Sequence, residues 1–336
     1  MSNLSNRLIR YAELMPCRNA FIDTRSPGSE AKENFTLIGP GVSENPNQHV
    51  HIPEPHGFNI GGARQPGGCL NSQHSHETAE VFIVHTGKWR FKWGPTGDDG
   101  YIDLKRGDVI SLPTQMFRGF ENTGSRKSAD FLFAILGGDD PGKVTWSPPV
   151  FDLAAKYGLV LLEGGRLIDT VAGEAIPKGA RRQKPPSDAV MRKLASPSAE
   201  KMAQCVASFA GLRPNATSPL AARGVSECAI IGPVASQDGF APGPITGWWH
   251  HGFSLRLLRL TSGAKTAAHV RHEAEVVFVQ SGTLEIATPD GAIMLGSGDT
   301  FSTPIGLARS FRATASDGCV AYLVRGAESP KAPTFV

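Results

Sequence analysis

Residues 68–87 read GCLNSQHSHETAEVFIVHTG, and residues 263–282 read GAKTAAHVRHEAEVVFVQSG. At an offset of 195, Gly68, His74, Glu80, Val81, Phe82 and Gly87 fall on Gly263, His269, Glu275, Val276, Val277 and Gly282. A second pair of blocks follows: residues 107–122, GDVISLPTQMFRGFEN, and residues 298–313, GDTFSTPIGLARSFRA. Gly107, Asp108, Pro113, Arg118 and Phe120 match Gly298, Asp299, Pro304, Arg309 and Phe311 at an offset of 191. The four-residue change falls where the first copy carries the turn-rich insert Gly94-Pro95-Thr96-Gly97-Asp98-Asp99-Gly100, a length change that a hairpin tolerates. The chain is a duplication, and fixed-distance self-similarity decides its architecture before any single element does.

Bulk properties agree with two β-rich units. The length of 336 residues suggests about two domains at roughly 150 residues each. Glycine and proline supply 63 of the 336 residues, well above the usual share of about 12%. That excess argues against a helical bundle and for short elements joined by tight turns. Hydrophobic content of 40% is enough for a core in each half. A net charge of +3 gives no electrostatic footprint for nucleic acid. The basic stretch from Lys178 to Lys193 reads as a solvated linker. No run of 18 apolar residues predicts a membrane span, and Met1–Pro16 lacks an apolar signal region. Five scattered cysteines without a CxxC pair fit a reducing, cytoplasmic setting.

Each copy reads as antiparallel β-structure. Trp89, Phe91 and Trp93 alternate with Arg90 and Lys92, the pattern of a half-buried strand whose aromatic stripe belongs to a core rather than a ligand wall. Short apolar runs at 81–84, 131–136, 255–260, 276–279 and 320–324 behave alike. Residues 151–157 and 188–194 suggest short helices, and 173–187 a Gly-, Pro- and basic-rich linker. The expected division is an N-terminal arm and first domain over 1–150, a linker with short helices over 151–210, and a second domain over 211–336.

His74 and His76 share a strand face at i and i+2, and Glu80 has the same parity. Two imidazoles and one carboxylate with open positions suit non-heme Fe(II), with Mn, Ni or Zn as relatives. His85 has the opposite parity and is expected to face outward. His49 and His51 form another i, i+2 pair, with His56 nearby, in a segment read as an exposed polar loop. Gln73, Gln115 and Cys69 are weaker candidates, and Cys69 has no visible activating partner.

Residues 68–87 match the first motif of the cupin superfamily, G(X)5HXH(X)3E(X)6G, at every position. Residues 107–122 match the second, G(X)5PXG(X)2H(X)3N, at Gly107, Pro113 and Asn122, and depart from it at Gln115 and Arg118. The chain therefore resembles a bicupin. The resemblance implies an all-β fold of two double-stranded β-helix (jelly-roll) domains with a few short helices. It also implies a metal at His74, His76 and Glu80, and homodimerisation is expected because open strand edges need covering. Bicupins with a metal in one half resemble dioxygenases acting on phenolic or carboxylated small molecules, so the implied activity is dioxygenase-like oxidation of a small anionic or phenolic substrate. A metal-dependent isomerase, cyclase or lyase and a non-catalytic binding module are the alternatives.

Arg118 stands where the family supplies a fourth ligand, and a guanidinium cannot ligate a cation. It is open to three roles: orienting an anionic substrate as a catalytic group, pairing with Glu80 in place of a metal, or turning to solvent. In the second copy His269 and Glu275 remain, while Arg271 and Arg309 replace two histidines. That set is a candidate anion site. His272 has the wrong parity to join it. Trp248, Trp249, His250 and His251 read as a packed segment at the junction.

Overall fold

A computed structural model describes residues 4–246 and 249–336; Trp248 lies outside them. Among the described residues the chain is nearly all β, with three short α-helices, Pro148–Lys156, Asp188–Met191 and Ala199–Ala203. The first half pairs two sheets. The seven-stranded one runs Val206–Ala207, Val109–Leu112, Glu80–Val84, Ala129–Gly137, Phe58–Pro66, Glu33–Ile38 and Val50–Ile52. The five-stranded one runs Thr145–Trp146, Leu70–Ser75, Arg118–Asn122, Lys88–Trp93 and Gly100–Lys105. The second half repeats the plan with six strands, Leu8–Ile9, Thr300–Thr303, Glu275–Gly282, Cys319–Gly326, Phe253–Leu260 and Val225–Ile231, facing the three strands Gly291–Leu295, Leu284–Thr288 and Ser310–Ala313.

The period-two stripe behaves as read. Trp89, Phe91 and Trp93 are buried with Phe82, Phe120 and Leu132 in the first barrel's core. A larger core lies between the halves, where Phe133 stacks on Phe278 at 4.2 Å and the Tyr322 hydroxyl donates to Gly107 O at 2.5 Å. His85 faces this interface, which corrects the outward placement: it is buried against Tyr11, Phe131 and Phe278, away from the first cavity. Parity set its direction, but the second half occupies the space where solvent was expected.

The shared Gly-Asp pair has a structural cause. Each half receives an edge strand from the segment that precedes the other half: Leu8 pairs with Phe301, and Val206 with Ile110. The arm is then pinned by the aspartate. Asp299 Oδ1 accepts from Tyr11 N at 2.9 Å, and Asp108 Oδ1 from Phe209 N at 2.9 Å. Gly298 (φ +88°) and Gly107 (φ +86°) lie under the rings of Tyr11 and Phe209, where an added Cβ would come within 2.7 Å of ring carbons. Both the left-handed backbone and the close ring demand glycine.

The region between the copies contains more structure than a linker with helices. Leu159–Leu161 and Leu167–Asp169 form a hairpin packed near Val144, Trp146 and Val150, whereas 173–187 is irregular and mostly exposed. Residues 50–52 are a strand parallel to Glu33–Ile38 rather than loop.

Candidate metal centre

Both sheets of the first barrel contribute to one cluster. His74 lies one residue before the end of the strand Leu70–Ser75, directly across from Arg118 on the neighbouring antiparallel strand. His76 follows in the turn. Glu80 opens the next strand, on the facing sheet. The three side chains therefore converge through a turn between sheets, not along one continuous strand as parity alone suggests. All three are buried, and a ligand atom from each lies within 4.8 Å of the others.

The protonation states suit cation binding. The His74 Nδ1 lies 2.8 Å from Ser72 O, so the ring donates there and leaves the Nε2 lone pair free. Burial, reinforced by the Arg118 charge, lowers the His74 pKa to about 3 and holds His76 well below the usual histidine range. Both imidazoles are thus neutral, the ligating form. The His76 Nδ1 is buried without a hydrogen-bond partner among the described residues. The Glu80 carboxyl is raised by burial and partly restored by Arg118. The donor set and its uncommitted imidazole fit a divalent metal.

Arg118 is fully buried against Glu80. Its Nε donates to Glu80 Oε2 at 3.0 Å, its Nη2 lies 3.0 Å from the same oxygen, and its Nη1 donates to Met116 O. The other carboxylate oxygen, Oε1, faces His76 Nε2 at 3.5 Å. The guanidinium is therefore behind Glu80 and is not part of the cavity wall, which His74, His76 and Glu80 help to form. That cavity, ≈ 80 Å³, is also lined by Phe82, Phe120 and Trp146, together with Phe35, Val42 and Gln48 of the N-terminal arm. A water needs roughly 10–15 Å³ of such space, so the site suits a ligand of a few heavy atoms.

The remaining candidates lie elsewhere. His49 and His51 pack on each other, with His51 Nε2 accepting from Met15 N at 3.3 Å, outside the cavity wall. His56 bonds Glu54 O and Ser302 Oγ across the halves. Gln73 donates to Gly94 O, Gln115 sits in a turn at φ 55°, and Cys69 is a buried thiol pushed up to about 11 by burial. His251 bonds Ser111 Oγ at 2.8 Å and packs near Trp249 at the junction, and His250 is exposed. Sequence reading missed Glu44. Its carboxyl accepts from Trp146 Nε1 at 2.6 Å, Trp146 packs on His74 at 5.3 Å, and burial lifts the Glu44 pKa to about 8. No periodic signal marks a residue of the N-terminal arm that acts through Trp146, behind the cavity wall.

In the second barrel His269, Arg271, Glu275 and Arg309 do come together, and His272 is exposed. Arg309 Nη2 donates to Glu275 Oε1, Arg325 Nε to Glu275 Oε2 at 2.8 Å, and Arg271 pairs mainly with Glu273. Arg325 also binds Glu227 through Nη1 at 2.7 Å. These cations hold Glu275 far below the usual carboxylate range despite its burial.

Solved structures share this architecture. A deletion variant of Bacillus subtilis oxalate decarboxylase aligns over 98% of this chain and 79% of its own, at 10% identity and a TM-score of 0.58. The formate complex of Lactobacillus farciminis oxalate decarboxylase aligns over 98% and 88%, at 12% identity and a TM-score of 0.58. A further Bacillus subtilis structure, solved to assign its Mn(II) centres, aligns at 11% identity and a TM-score of 0.56, over 98% of this chain and 79% of its own. No protein-family profile and no curated protein sequence matches the chain. The fold is that of a bicupin, all-β with few short helices. No described helix is long and apolar enough to cross a membrane.

Proposed function

We propose that the first barrel is a divalent-metal centre at which a small anionic substrate is oxidised in a dioxygenase-like reaction, with Fe(II) as the preferred metal. One observation carries this: three donor atoms within 4.8 Å on a cavity wall, beside an arginine that cannot ligate. Replacing the family's fourth ligand by Arg118 leaves two histidines and one carboxylate with open positions, the set suited to non-heme Fe(II) oxygen chemistry.

His74, His76 and Glu80 would hold the metal, which supplies Lewis acidity, redox capacity and vacant positions for substrate and O2. Arg118 is a positioning residue: it fixes Glu80 Oε2 and leaves Oε1 toward the histidines. Glu80 and Arg118 cancel in charge, so a divalent ion leaves two positive charges that an anionic substrate offsets. The cavity size supports a small carboxylate over a bulky phenol, and Phe35, Phe82, Phe120 and Trp146 give it an apolar wall. The reading includes a homodimer, in keeping with the open edges of this fold, and a reducing cytoplasm, in keeping with five free cysteines.

The structural neighbours favour a second reading, a Mn-dependent lyase acting on a small carboxylate without net oxidation. Oxygen dependence separates the two. Metal-loaded protein is supplied with a panel of small mono- and dicarboxylates, and O2 uptake and CO2 release are followed with and without air. Uptake of O2 coupled to substrate loss, abolished in His76→Ala, is the expected result. Turnover undiminished under argon replaces it with the lyase reading. No turnover by the fully metallated protein rejects both in favour of a binding module.

A further inference from the structure

The second barrel carries more cationic charge than its own carboxylates neutralise. Register equivalence locates the excess. Glu80 is paired with Leu136, which is paired with Asn59; Glu275 is paired with Arg325, which is paired with Ser254. By the same register Gly61 corresponds to Arg256, and by motif alignment His76 corresponds to Arg271. Gly61, His76 and Leu136 all line the first cavity. Three wall positions of the first barrel have thus become arginine in the second.

With Arg309 these make four guanidiniums, each at most 1% exposed. Facing them are Glu227 and Glu275, wholly buried, and Glu273 at the rim. One positive charge remains, and an unpaired charge in a water-free interior is unfavourable. The donors agree with the charge count. After all internal bonds, Arg256 Nε, Arg271 Nη1, Arg309 Nε and Arg325 Nη2 are buried without a hydrogen-bond partner among the described residues, as are the Ser254 and Thr303 hydroxyls. The Phe240 ring lies over the group, 5.1, 5.7 and 5.6 Å from the guanidinium carbons of Arg256, Arg271 and Arg325.

We infer that the second barrel binds a small monovalent oxyanion, a monocarboxylate in class, between these guanidiniums and beneath Phe240. Guanidinium forks match carboxylate oxygens in geometry and charge. A monoanion balances the single excess charge, while a dianion overshoots it. This site is independent of the metal and of the reaction proposed for the first barrel.

The test uses the full chain carrying His74→Ala, so that a carboxylate held at the first-barrel metal contributes nothing. Titration calorimetry with acetate and formate is expected to give saturable binding at one site per chain. Arg256→Gln is expected to weaken it at least tenfold, and Phe240→Ala to change its affinity without abolishing it. Circular dichroism checks that each variant is folded. Absence of saturable binding in both the Phe240 and the Phe240→Ala chains overturns the inference and leaves water as the partner of these donors. Undiminished binding in folded Arg256→Gln also overturns it. Tighter binding of sulfate or succinate than of acetate overturns the monovalent class.

Discussion

Arg325→Met is expected to lower folding stability by about 3–5 kcal/mol, the usual loss when one partner of a buried ion pair is removed. Arg325 sits between Glu227 and Glu275, and all three are essentially inaccessible to water. Methionine fills much of the volume, so the loss is electrostatic rather than a cavity effect. Glu275 keeps Arg309 and a distant Arg271, whereas Glu227 loses its direct ion-pair partner and keeps only the through-space attraction of Arg256. Urea unfolding at pH 7 measures the difference. The deficit should shrink toward pH 4.5, where the stranded Glu227 takes up a proton. A loss under about 1 kcal/mol would mean that water reaches this interior and screens it.

Acid should unfold the protein well above the carboxylate range. Burial lowers the pKa of His85, His251 and His269 to about 4 each. The native state keeps them neutral, while the unfolded chain protonates them near pH 6.5. Between those values the unfolded state binds more protons, so stability is full above pH 6.5 and falls as pH drops toward 4. At about 1–3 kcal/mol each, the three together approach the whole stability of a typical domain. Urea midpoints should therefore fall steeply from pH 7 to pH 5. His85→Phe, set among Tyr11, Phe131 and Phe278, should flatten that slope. Equal midpoints at pH 7 and pH 5 would show that these rings are already hydrated.

Much of this structure is legible in the sequence, for a definite reason. The two motif blocks recur at nearly constant distance, and fixed spacing converts directly into fixed geometry on strands and turns. That is why His74, His76 and Glu80 could be grouped in advance and why Trp89, Phe91 and Trp93 could be assigned to a core. The exchanged edge strands were hidden, because Leu8–Ile9 and Val206–Ala207 are two residues long and carry no period. Arg256 and Arg325 were hidden differently. Arg256 shares its run with Arg259 and Arg325 follows the run 320–324, and only strand register sets Arg325 against Glu275 and Arg256 in the same interior. The sequence left three roles open for Arg118, and its contact with Glu80 is a matter of side-chain direction that spacing does not encode.

The two halves differ in chemistry: the first barrel carries the proposed metal centre, and guanidinium groups stand where its counterpart would be in the second. Metal content of the untagged chain distinguishes the two barrels. Purified chain, supplied in turn with Fe(II), Mn(II), Ni(II) and Zn(II) and then desalted, should retain close to one equivalent of a divalent metal. His74→Ala should lose it, while His269→Ala should keep it. Two equivalents per chain, retention in His74→Ala, or less than about a tenth of an equivalent with every metal would rule out a metal centre confined to the first barrel.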